Sequence, residues 1–408
     1  MQTIKLYNDD SYLKEMTTTV LKCEQDEHGP YVVLKETVFY PTGGGQAHDT
    51  GLLDGKKITN VALVQDEIRH YLTESIEVGK TVQGSIDWIR RFDLMQQHLG
   101  QHILSAAFEQ LFDIETASIH IGERYCTIDL EVAQLTAKQV EQAQGLSNQV
   151  ILENRKVRAY YVEKADLGQF PYLRNQPKTD TNIRLIDIAD FDTIGCGGTH
   201  PKATGEVGNL AILKQERNRK QVRLTFICGQ RVVQELIQAS QLNREVGALL
   251  HAPEAEIISK TTELLAQKKA LEKAQKEWQQ QQFMQQAEAL LTEQQSLFDR
   301  TLILKEDNQQ SVAALKKVAQ QLINLDSTLL VIFFQQTGTQ VTYLLAAGKE
   351  AKVNLRSLIQ CFNQALNGKG GGSPFLAQGS GTFQENNGNL ATTIKELLNQ
   401  ELGEENHE

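Results

Sequence analysis

Apolar positions change their period along the 408-residue chain and divide it into four stretches. Residues 1–88 carry short runs rich in β-branched and aromatic residues: 3–7, 17–21, 31–34 and 37–40. Polar or Gly/Pro turns such as Glu27-His-Gly-Pro30 separate them, which predicts strands, and several at this spacing predict a small β-barrel. In residues 89–240, Leu94, Leu99, Ile103 and Ala107 form a stripe that predicts a helix over 89–112. A strand at 127–130 and a helix at 136–154 follow, then strands near 157–161, 183–186, 210–213 and 222–227. This irregular alternation predicts an α+β arrangement rather than a doubly wound sheet.

Residues 241–300 read as one long helical segment. Ile257, Leu264, Leu271 and Trp278 recur every seven residues, but the second stripe is weak and Gln279–Gln282 interrupts it. A helical spacer or antiparallel hairpin therefore fits better than a sustained coiled coil. Residues 301–408 alternate strand and helix: strands at 301–304, 329–334 and 341–345, helices at 311–324, 353–366 and 391–402. A glycine-rich stretch, Gly368-Lys-Gly-Gly-Gly-Ser-Pro374, precedes the last helix and reads as a loop.

The length implies two or three domains, and 40% hydrophobic residues suffice to build their cores. Five widely spaced cysteines form no disulfide framework, so a reducing, cytoplasmic setting is expected. The first residues show neither a basic segment nor a long apolar one, so no signal peptide is indicated. No apolar run reaches the roughly 20 residues that would span a membrane. The net charge of −10 argues against indiscriminate nucleic-acid binding. Between Thr199 and Arg231, however, seven basic residues (Lys202, Lys214, Arg217, Arg219, Lys220, Arg223, Arg231) face two acidic ones. That stretch is either a solvated strand pair or a local basic surface.

Candidate chemistry sits in two pairs, His98-Leu-Gly-Gln-His102 and Cys196-Gly-Gly-Thr-His200. A spacing of four puts both imidazoles of the first pair on one helix face. A glycine turn can bring the thiolate and imidazole of the second to the same point. Three nitrogens and one sulfur suit one tetrahedral zinc ion per chain. Leu99 stands where a zinc peptidase would carry its glutamate, so peptidase chemistry is disfavoured. A closed structural zinc stays open as an alternative. Thr42-Gly-Gly-Gly-Gln46 is either a hairpin turn or a loop that approaches a ligand closely. No GK[ST] follows it, so it is not a P-loop.

These motifs occur in a particular order. Phe39-Tyr-Pro-Thr-Gly-Gly-Gly-Gln-Ala-His-Asp-Thr-Gly51, His98-x-x-x-His102, Ser118-Ile-His-Ile-Gly122 and Cys196-Gly-Gly-Thr-His200 together resemble the editing domain of alanyl-tRNA synthetase and its free-standing AlaX relatives. Gly370-Gly-Gly-Ser-Pro-Phe-Leu-Ala-Gln378 resembles the C-terminal DHH-associated domain of the synthetase. With no aminoacylation domain ahead of it, the chain looks like the long AlaX form. No Asp-His-His sequence is present, so phosphoesterase chemistry is not expected.

The resemblance implies an α+β protein in four parts. These are an N-terminal β-barrel (1–88), a zinc-binding editing domain (89–240), a helical spacer (241–300) and a C-terminal DHH-associated α/β domain (301–408) that binds tRNA or dimerises. It implies zinc-dependent hydrolysis of tRNA(Ala) mischarged with serine, and with glycine second, sparing Ala-tRNA(Ala). His98, His102, Cys196 and His200 match the zinc ligands. Thr42, Gly43, Gly44, Gly45 and Gln46 match the pocket loop, and His120 lies in a segment that varies in the family. Lys202, Lys214, Arg217, Arg219, Lys220, Arg223, Lys369, Gly370 and Gly371 are the expected tRNA contacts. A homodimer through the spacer and C-terminal domain is kept open, as is a non-catalytic tRNA-binding protein with a structural zinc.

Overall fold

The computed structural model describes residues 2–175, 180–297, 300–384 and 389–404. It is a mixed α+β protein of two compact units, Met1–Ala248 and Leu249–Glu408. Among the described residues no helix is long and apolar enough to cross a membrane.

The first unit begins with six antiparallel strands that close on themselves in the order Glu15–Asp26, Gly29–Leu34, Glu67–Leu72, Lys56–Val64, Gly51–Leu53, Thr81–Ile86. Alternation drives this closure: Met16, Thr18 and Val20 turn inward from the first strand while their neighbours face out. The turns at Asp54-Gly55 and Gln65-Asp66 hold positive φ at both central residues, the geometry of tight hairpins.

Two sequence expectations change here. The strand expected over 3–7 shrinks to Ile4–Lys5, followed by a single helical turn, Leu6–Asp9. The strand expected over 37–40 shrinks to Glu36–Thr37. Val38, Phe39 and Tyr40 are buried, but their amides bond side chains rather than a neighbouring strand. Val38 N donates to Met16 Sδ (3.3 Å), Phe39 N to Thr37 Oγ1 (3.0 Å) and Tyr40 N to Asp49 Oδ2 (2.6 Å). Val38 and Phe39 thus join the interior of the ring as a plug.

The Trp88–Phe112 helix starts at Asp87, whose carboxylate accepts from Arg90 N, and ends at Asp113 in the left-handed region. Every residue from Gln97 to Phe108 is buried. This stretch of the helix therefore runs through the core, and its polar residues Gln97, His98, Gln101, His102 and Ser105 have no solvent face. One sheet runs Leu210–Asn218, Gln221–Cys228, Cys126–Leu130, Thr116–Ile121. The other runs Val157–Val162, Ile183–Ile188, Asp192–Gly195, Leu173–Arg174.

The second unit holds a six-stranded sheet. Leu329–Thr337 lies at its centre, and Lys369–Ser373 forms one edge, paired with Leu376–Thr382. Leu330, Ile332 and Phe334 pack on one face with the Leu355–Ala365 and Leu390–Glu404 helices. Leu329, Val331 and Phe333 pack on the other with Val312–Leu325 and the end of Ile257–Leu291. Two covered faces explain the unbroken apolar run at 329–334. The glycine loop expected at 368–374 is instead this edge strand. A Cβ on Gly370 would lie 2.6 Å from Gln378 O, and one on Gly372 would strike Leu376 O, so the close pairing requires glycine.

Candidate metal centre

His98 and His102 lie one turn apart on the buried helix, with ring centroids 4.9 Å apart. His200 completes a triangle with them, its centroid 4.5 Å from His98 and 4.9 Å from His102. Cys196 Sγ is 3.5 Å from His98 Nε2 and 3.7 Å from His200 Nε2. All four ligand atoms fall within 4.8 Å of one another, so the four residues form a group able to hold a metal ion. A tetrahedral ion bound at about 2.0–2.1 Å by nitrogen and about 2.3 Å by sulfur has N···S edges of about 3.5 Å. The two Cys–His distances match that edge. The three histidines are buried and Cys196 is half-buried.

Burial sets the protonation. It is the main force pushing His98 down to about 3, with the Arg184 charge adding to it. Burial also pushes His102 and His200 well below the usual imidazole range, helped by their mutual proximity and by Arg184. The imidazoles are therefore neutral, the form that ligates metal. The Cys196 thiol is raised by burial, against the Gly198 N–H and Arg184. A bound cation would reverse that and favour the thiolate. The donor set and its spacing both fit a metal ion.

Neighbouring groups orient the ligands. Gln46 is fully buried; its Oε1 accepts from His98 Nδ1 (2.9 Å) and Thr199 N (3.2 Å), while its Nε2 donates to Thr199 Oγ1 (2.8 Å). That bond holds the proton on Nδ1 and turns Nε2 toward the centre. Gln46 therefore sits behind a ligand. Gly198 leaves room for this arrangement: a Cβ there would overlap His98 Cε1 and lie 2.6 Å from its Nδ1.

The glycine motif is a hairpin turn. Gly43 and Gln46 exchange backbone hydrogen bonds (3.1 and 3.0 Å) across Gly44 and Gly45, both at positive φ. Tyr40 Oη holds the turn from below by donating to Gly43 O (2.9 Å). Thr42 is exposed, accepts from His48 N (3.2 Å) and lies 3.1 Å from His48 Nδ1. The structure does not bring His120 into the group. It is exposed on the Thr116–Ile121 strand, beside Gly122.

The basic residues divide. Lys202 pairs with Asp10 (3.0 Å), Lys214 with Glu216, and Arg223 with Asp129 through two bonds (2.7 and 2.8 Å). Arg231 is buried against Asp93. Arg217, Arg219 and Lys220 stay exposed around the hairpin tip, and among the described residues they pair with no carboxylate. Lys369, Gly370 and Gly371 are exposed on the edge strand of the second unit. Sequence reasoning missed Arg184, Thr199, Tyr40 and His48. Arg184 had a signal, a lone cation beside apolar residues in the run Ile183-Arg-Leu-Ile-Asp-Ile188.

Three stretches of the chain match families of known proteins. Residues 183–224 match the threonyl and alanyl tRNA synthetase second additional domain, and residues 6–90 the class II (A) tRNA synthetases. Residues 299–400 match the DHHA1 domain. The chain belongs to the family of alanyl-tRNA editing proteins, in its long AlaX-type form. It is 29% identical to the alanyl-tRNA editing protein AlaX-L of Pyrococcus horikoshii over 92% of this chain and 94% of the relative. It is 30% identical to Aarsd1-B, an alanyl-tRNA editing protein of Xenopus laevis, over 65% of this chain and 68% of the relative. The alanine–tRNA ligase of Pyrococcus furiosus is 33% identical over 62% of this chain, and the matched stretch spans 28% of the ligase.

Proposed function

We propose that this protein hydrolyses the aminoacyl ester of mischarged tRNA(Ala), removing serine first and glycine second while sparing alanine. What supports this reading is the His98–His102–Cys196–His200 group in a chain of the editing-protein family. The ion is zinc, one per chain, because three imidazoles and one thiolate are its preferred donors. When bound, zinc supplies a fixed positive charge that holds a polar end of the substrate or lowers the pKa of a water.

The remaining chemistry belongs to the chain. An aminoacyl ester is already activated, so positioning and stabilisation of a developing oxyanion suffice. Gln46 keeps His98 in one tautomer, and the buried helix keeps both histidines in one place. Selection of serine falls to Thr42. Among the described residues its hydroxyl engages only His48, and the exposed side chain can meet a ligand. A site that bonds a substrate hydroxyl penalises the analogue lacking it. The tRNA backbone meets Arg217, Arg219 and Lys220 on the first unit and Lys369, Gly370 and Gly371 on the second, in the part at 301–408 that binds tRNA or dimerises.

Thr42→Val is expected to lower the ratio of seryl to alanyl hydrolysis about 5- to 30-fold, the worth of one hydrogen bond of about 1–2 kcal/mol. Thermal stability should change little, because the side chain is exposed. Deacylation rates for the two esters measure this, and an unchanged ratio places the selecting group elsewhere.

One observation favours a second reading. Four protein ligands complete a tetrahedral shell, as structural zinc sites do. The protein would then bind tRNA without reacting. Deacylation of Ser-tRNA(Ala) decides between the two, because the second reading predicts no rate above the uncatalysed background.

A further inference from the structure

The Arg184 side chain grips the ligand loop at two points, on either side of Gly197. Its Nη1 donates to Cys196 O (2.7 Å) and to Gly198 O (2.9 Å). Its own carbonyl accepts from Cys196 N (3.1 Å). The loop from Cys196 to Gly198 is therefore wrapped around one residue of the adjacent strand, Ile183–Ile188. Cys196 and His200 are the two ligands on that loop. Gly197 and Gly198 give the loop no side chains to fix its path, so Arg184 supplies the fixed point from outside.

The guanidinium serves the loop at the expense of its other bonds. Nε is buried and has no hydrogen-bond partner among the described residues. Buried polar atoms are normally satisfied, so an orphan marks a side chain whose place is set by something other than its own best hydrogen bonding. Here that is the pair of loop carbonyls. Arg184 also makes no salt bridge among the described residues, so no carboxylate explains its position. Both carbonyls are served by the two hydrogens of one nitrogen, whose directions the planar guanidinium fixes and a freely rotating lysine ammonium does not.

We propose that Arg184 is a positioning residue of the metal centre: by holding the Cys196 and Gly198 carbonyls it presents Cys196 and His200 to the ion and so sets metal affinity. The proposal rests on the reading of this group as a metal site. Groups that orient ligands typically change metal affinity 10–100-fold when removed.

The test uses the full chain, metal-stripped and titrated with Zn²⁺ against a competing chelator, then with Co²⁺ to record the thiolate-to-cobalt charge-transfer band. Wild type should bind one equivalent and show the band; if it binds none, the metal reading itself fails. With wild type binding, Arg184→Met should weaken Zn²⁺ about 10–100-fold and diminish or shift the band. Arg184→Lys should lie between the two, because it keeps the charge and one carbonyl bond. If Arg184→Met does not fold, Arg184→Lys and Arg184→Gln carry the decision. Wild-type affinity with a wild-type band in any folded variant, even with lowered thermal stability, would make Arg184 merely structural and overturn the proposal.

Discussion

Gly198→Ala is expected to cripple the metal centre, whereas Gly197→Ala, one residue away, leaves it working. Neither glycine holds a positive φ, so backbone strain is not the issue. Space is. A Cβ at Gly198 would overlap the His98 ring and approach Gln46 Oε1 at 3.0 Å. The ring is buried in a packed core and cannot retreat without leaving Gln46. A Cβ at Gly197 meets nothing within 4 Å. For Gly198→Ala, zinc affinity should fall about 10–100-fold. Hydrolysis at saturating zinc should fall about 100-fold, because misplacement by roughly 1 Å is enough to cost that much. Chelator competition and single-turnover deacylation check both. Equal behaviour of the two variants would mean that the loop and His98 are not packed as described.

Arg91→Met is expected to be the most destabilising single change in the first unit. Arg91 and Asp49 have no exposed side-chain surface and are bound to each other. Arg91 Nε lies 2.8 Å from Asp49 Oδ1 and 3.0 Å from Oδ2, and the remaining donors reach Ser11 O (2.9 Å) and Val38 O (2.6 Å). One cation thus fastens the plug segment, the loop after the glycine turn and the helix that bears two ligands. Removing it strands a buried carboxylate, a loss of about 3–5 kcal/mol. Arg91→Met with Asp49→Leu should recover part of it, because no unpaired charge remains. In a Trp278→Phe background, Trp88 fluorescence during urea unfolding reports this unit alone. A loss below about 1 kcal/mol would contradict the account.

What could be read from the sequence was local. The Trp88–Phe112 helix and the ligand pairs follow from spacing, since residues four apart on a helix share a face whatever surrounds them. The run at 329–334 shows strand character because two covered faces leave no polar alternation. What stayed hidden depends on partners far along the chain. Val38–Tyr40 has the composition of a strand, but Asp49 and Met16 take its amides. Gly370–Gly372 resembles a loop until Leu376–Thr382 lies against it. Gln46 resembles a pocket residue until Thr199, 153 positions later, folds onto it. The basic stretch loses most of its charge to Asp10, Asp93, Asp129 and Glu216, which only the fold brings near.

Single-turnover hydrolysis of Ser-tRNA(Ala) and Ala-tRNA(Ala) by the zinc-loaded protein, beside His102→Ala, tests the central claim most directly. The account predicts that the seryl ester is cleared about 100-fold faster than the alanyl ester or more, and that the variant loses both its zinc and this rate. Equal rates for the two esters would contradict the selectivity, and a seryl rate no higher than the uncatalysed background would contradict the enzyme.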